Sequence, residues 1–188
     1  KDEGTLSVTA KQIAAADMTV QAPADVVYSG KAQQQKPVVK DGDKALAEGV
    51  DYELTYSGNT TDAGTVTVTV TGKGNYAGSI ERAYRITPAP LTVTTGSDSK
   101  IYDGSELVSG ELSIEGLQGE DRVTAATTGS QTEVGSSKNT YRITWGETDA
   151  ANYVIDEYLG TLTVTPAPVP PTPDPGDGVT PAPTPTPR

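Results

Sequence analysis

Seven consecutive residues, Thr65-Val66-Thr67-Val68-Thr69-Val70-Thr71, alternate apolar and polar without a break. Successive side chains point to opposite faces only in an extended strand, so the three valines form one apolar face and the threonines a wet one. A helix with this pattern would scatter its valines around the cylinder. The same period recurs in Tyr52, Leu54 and Tyr56, and again in Tyr141, Ile143 and Trp145. Between such segments lie Asp41-Gly42-Asp43 and Gly72-Lys73-Gly74-Asn75, whose residue types favour tight turns. Pro37 lacks an amide donor and belongs at an edge or a strand start. Helical signals are limited to Ala45–Glu48 and Leu117–Asp121, each about one turn. The expected class is all-β: two small immunoglobulin-like β-sandwiches in tandem, with a β-grasp as the alternative.

The chain has 188 residues, and landmarks in its first half return in its second. Met18-Thr19-Val20 and Val27-Tyr28-Ser29-Gly30 correspond to Leu91-Thr92-Val93 and Ile101-Tyr102-Asp103-Gly104. Ala63-Gly64 corresponds to Val134-Gly135, and Asn75-Tyr76 to Asn152-Tyr153. Each copy closes on a β-patterned segment followed by Thr-Pro-Ala-Pro, at 87–90 and 165–168. This ordering predicts a first module over 11–90 and a second over 91–168. Residues 1–10 read as the closing strand of a preceding repeat, since Gly4-Thr5-Leu6-Ser7-Val8-Thr9 resembles Gly160-Thr161-Leu162-Thr163-Val164-Thr165. Ten of the fourteen prolines fall at or after Pro166, which makes 169–188 a proline- and threonine-rich extended linker. A proline after each closing strand denies it a further ladder hydrogen bond and holds the exit extended.

Composition excludes much chemistry. There is no Cys and no His, so neither a thiolate nucleophile, a Ser-His-Asp triad nor a His-bearing zinc site can form. A carboxylate pair could still serve a glycosidase, but a module of this size rarely supplies the deep cleft. No enzyme activity and no cofactor are expected. Asp41 and Asp43 are the candidate calcium ligands, although their turn explains them more simply and they lack the D-x-D-x-D-G loop. A similar Asp pair lies in 174–178. Tyr52 and Tyr158 are the candidate ligand-binding residues, being the tyrosines least tied to repeat landmarks. Trp145 is expected in the core, by its alternation with Tyr141 and Ile143. Tyr28, Tyr76, Tyr102 and Tyr153 recur at landmarks, which argues for one shared structural task.

The net charge is −11, concentrated in 91–168, where four basic residues face twelve carboxylates. Such a surface repels phosphate backbones and anionic lipid, so nucleic acid and membrane insertion are not expected.

Residues 91–168 resemble the MBG-type (YDG) repeats of large bacterial surface proteins. The resemblance rests on Lys100-Ile101-Tyr102-Asp103-Gly104, Gly116-Leu117-Gln118-Gly119-Glu120-Asp121, Tyr141-Arg142-Ile143, Asn152-Tyr153 and the closing strand from Gly160. The tract from Asp51 to Gly78 resembles a related repeat of Gram-positive gut bacteria. The first copy departs from the pattern, with Ser29 in place of the Asp and no Gly-Leu-x-Gly-x-Asp tract. The resemblance implies non-catalytic extracellular modules that form a spacer or stalk in a surface or secreted protein. Alternatives are an adhesin module that binds a glycan or host protein, and an accessory module of a secreted hydrolase. Neighbouring repeats of the same chain are the expected partners, and the chain is expected to be a monomer.

Overall fold

The computed structural model describes residues 7–170 and is all-β. The first half contains β1 (Lys11–Gln12), β2 (Met18–Gln21), β3 (Val26–Val27), β4 (Val38–Asp41), β5 (Lys44–Ala45), β6 (Tyr52–Ser57), β7 (Gly64–Gly72), β8 (Tyr76–Ala77) and β9 (Ser79–Thr87). The second half contains β10 (Ala89–Thr95), β11 (Asp98–Ile101), β12 (Leu112–Glu115), β13 (Thr124–Thr127), β14 (Gly135–Lys138), β15 (Tyr141–Thr144), β16 (Tyr153–Tyr158) and β17 (Thr161–Thr165). The one helical element among the described residues is a 3₁₀ turn at Ala150–Asn152. Asp149 caps that turn by accepting from the Ala151 amide at 2.9 Å. Neither expected helical turn forms: Lys44–Ala45 is a strand, and Leu117–Asp121 is a loop held by other contacts. Both stretches are only a turn long, too short to be stable without tertiary support.

In the first half, β3, β9, β7 and β6 form one sheet, and β2, β4 and β5 another. The alternation at β7 is realised: Val66, Val68 and Val70 are fully buried, while the threonines between them stay at or near the surface. The two sheets meet over Val20 and Val39 from one and Tyr52 and Val70 from the other, with Ile13, Leu46 and Tyr76 closing the cluster. Segment 31–37 has no strand of its own. The Tyr84 and Tyr56 hydroxyls tie it down by donating to the Gln33 and Gln35 carbonyls.

Several pairings have counterparts in the two halves. β3 runs parallel to the end of β9, and β11 parallel to β17. β1 runs parallel to β8 with Lys11 opposite Tyr76, and β10 parallel to β16 with Ala89 opposite Tyr153. β2–β4 and β10–β12 are antiparallel, as are β7–β9 and β14–β17. The second half differs by interruption. Where β7 is continuous for nine residues, β14 and β15 are separated by Asn139 and Thr140, and Asn139 is fully buried. Its side-chain amide donates to the Gly96 and Ser109 carbonyls at 2.9 and 3.1 Å.

Thr87-Pro88-Ala89-Pro90 does more than end a module. β9 finishes at Thr87 and β10 begins at Ala89, and Pro90 lies inside β10 opposite Val154. One residue separates the two strands. A further core gathers there, with Tyr28, Val66, Tyr84 and Ile86 from the first half and Ala89, Leu91 and Tyr153 from the second. Leu107, Leu162 and Val164 form a separate small cluster in the second half.

Candidate functional site: the joint between the halves

The contact between the halves is the most elaborate polar and aromatic arrangement among the described residues, and it is built from the recurring landmarks. Tyr28 and Tyr153 are both buried, their rings edge-to-face at 5.5 Å. Trp145, half-buried, stacks on Tyr153 with ring centroids 5.9 Å apart. Pairs of this geometry contribute about 0.5–1.5 kcal/mol beyond their burial.

Both hydroxyls converge on one carboxylate. Tyr28 and Tyr153 donate to Asp121 Oδ2 at 2.8 and 2.5 Å. Tyr153 also accepts the Gln118 amide at 2.9 Å, so the loop 116–122 is held from within. Thr148 anchors the end of that loop through both the amide and the carbonyl of Arg122. Burial and then the Asp121 carboxylate push the Tyr28 hydroxyl up to about 12, and the same two causes raise Tyr153. Each effect disfavours the phenolate, so both groups remain donors.

A second contact joins the halves beside the first. Asn152, almost fully buried, accepts the Ala63 amide at 2.7 Å and donates to Asp62 Oδ1 at 2.9 Å. Glycine makes a third possible: Gly30 and Gly119 face each other at positive φ, 69° and 56°. A Cβ on Gly30 would lie 3.0 Å from Gly119 Cα, so neither position accommodates a side chain without moving the loops apart.

The residues singled out from sequence lie elsewhere or play other parts. Asp41 accepts the Lys11 ammonium at 2.5 Å and the Tyr76 hydroxyl at 3.1 Å, and the lysine holds its carboxyl below the usual range. Asp43 is exposed in the following turn. No cluster of three acidic side chains that could hold a metal occurs among the described residues. The Asp pair in 174–178 lies outside the described residues, as does most of the linker. Tyr52 is not available to a ligand: it is 6% exposed and sits in the first core, because its alternation with Leu54 and Tyr56 turns it inward. Tyr158 is exposed, on the edge strand β16.

Tyr28, Tyr76 and Tyr153 are buried, and each donates its hydroxyl to a carboxylate. Sequence reasoning found these tyrosines, Asn152 and the Gly119–Asp121 tract as landmarks. It did not find that they meet across the halves, because spacing along the chain carries no sign of which landmarks face each other.

Comparison with known families agrees with this anatomy for part of the chain. Residues 87–161 match the YDG domain. The match begins at the Thr87-Pro88 joint and includes Tyr102-Asp103-Gly104, Asp121, Asn152 and Tyr153. The domain found over these residues belongs to a family related to MBG but distinct from it. No curated protein and no solved structure matches the chain.

Proposed function

We propose that the chain is a non-catalytic spacer segment of a bacterial surface or secreted protein, made of two units of one kind joined stiffly in tandem. The observation that carries this reading is the shared core at the joint. A one-residue connection, a continuous apolar cluster and two sets of polar contacts oppose bending between the halves. Such a joint transmits length, which is what a stalk requires. The paired β3–β9 and β11–β17 registers support the kinship of the two units, and the YDG match over 87–161 is in keeping with a repeat of this class. The acidic surface suits an exposed extracellular location.

The absence of cysteine makes the test direct. Glu81→Cys in β9 and Ser113→Cys in β12 place one spin label on each half, both at exposed positions. A narrow, single-peaked distance distribution is expected. A broad one would mean that the halves swing freely, and the spacer reading would fail. Specific micromolar binding to a glycan or mucin panel would instead favour the adhesin reading, for which the exposed Tyr158, Val154 and Ile155 of β16 are the available surface.

A further inference from the structure

The residues that make the joint have second copies, and those copies lie at the two outer ends. On the donor side of the joint stand Tyr28, Gly30 and the pair Asp62-Ala63. Tyr28 is placed by its amide on the Thr87 carbonyl at 2.8 Å, just past β3. Tyr102 is placed identically, its amide on the Thr165 carbonyl at 2.8 Å, just past β11. Gly104 repeats the positive φ of Gly30, 78° against 69°, but nothing lies within 4 Å of where its Cβ would be. Glu133-Val134 precede Gly135 as Asp62-Ala63 precede Gly64, and these two glycines share φ values of 147° and 157°. Whereas Tyr28 is 5% exposed, Tyr102 is 38% exposed and Val134 51%.

The acceptor side is duplicated at the opposite end. Asn152-Tyr153 face the preceding half, and Asn75-Tyr76 hold the matching place opposite β1. Tyr76 is buried and donates to Asp41, which does for it what Asp121 does for Tyr153. Asn75 is exposed, unlike Asn152. These three residues line an open hollow of about 420 Å³, together with Lys11 and the incoming chain at Val8–Ala10.

We propose that the two ends are complementary halves of the same joint, and that each takes another unit of this kind. The Tyr102 hydroxyl of a leading unit enters the hollow at Asp41 and Tyr76, while Asn75 engages the Glu133-Val134 backbone and carboxylate. The chain then polymerises its own geometry: every joint in a longer array repeats the one seen between the halves. The inference rests on the tandem-spacer reading but goes beyond it, since a stiff pair of units could equally have capped ends.

The register dictates the test. Thr165 stands to the second half as Thr87 does to the first, and Lys11 stands opposite Tyr76 as Ala89 stands opposite Tyr153. Residues 1–166 of one copy, continued directly into residues 11–188 of a second, therefore recreate the spacing of the existing joint. Labels at Ser113→Cys of the leading copy and Glu81→Cys of the following copy report on the new joint alone. A narrow distribution is expected, and Tyr102→Phe with Glu133→Ala in the leading copy should broaden it. The same double substitution should leave the melting midpoint of the single 188-residue chain unchanged. A broad distribution across the new joint overturns the inference, even where the Glu81–Ser113 pair within one copy stays narrow and the spacer reading stands. A loss of stability in the single chain would also overturn it, by assigning Tyr102 to its own unit.

Discussion

Asp121 is the residue on which the joint turns, because its Oδ2 accepts two buried hydroxyls, one from each half. Removing it leaves both phenols without their acceptor, and hydrogen bonds to a charged group contribute about 1.5–3 kcal/mol each. The effect has a pH signature. Tyrosines whose folded pKa is raised lose their stabilising effect as they ionise: stability is full below about pH 10, the unfolded value, and falls as pH climbs through about 12. Asp121→Asn removes the carboxylate's share of that shift but not the share from burial. Denaturant titrations of the full chain between pH 8 and 12 should therefore show a lower midpoint for the variant at pH 8 and a shallower alkaline decline. An alkaline profile parallel to that of the parent chain would show that Asp121 does not govern these tyrosines.

Among elements, β10 is a strand of the second half that enters the shared core. It pairs with β12 and β16, and its Leu91 and Val93 are fully buried. Leu91 belongs to the core shared by both halves, so Leu91→Ala should cost about 2–5 kcal/mol. The expected result in thermal unfolding is a lowered midpoint with the transition still single. Loss of the second half alone, with the first melting as before, would mean that the cluster does not couple the halves. The strands themselves were legible in the sequence wherever the period was clean, as in β6, β7 and β15. Pro90 was harder to place. A proline after a closing strand reads as a terminator, yet here it enters the next strand within two residues, because β10 meets β16 in parallel along its length. Asn139 was invisible for another reason: a polar residue inside a strand pattern shows nothing of the three carbonyls, of Gly96, Ser109 and Gly160, to which it donates once the chain folds around it. Tyr52 lies in the core because the period it shares with Leu54 and Tyr56, and not its distance from the repeat landmarks, decides which way it faces.

At the scale of the molecule, two halves too small to bury much by themselves share a common interior where they touch. The second half keeps Leu107, Leu162 and Val164 as a cluster of its own, while Leu91 and Tyr153 pack with residues of the first half. The stability of each half then depends on the other. The central claim is this sharing of a core. Its most direct test is denaturant unfolding of the whole chain, followed at once by Trp145 fluorescence, which reports the joint, and by far-UV circular dichroism, which reports every strand. The two curves should coincide in midpoint and slope, as for one cooperative unit. Two separated transitions, with fluorescence and dichroism changing at different denaturant concentrations, would contradict it.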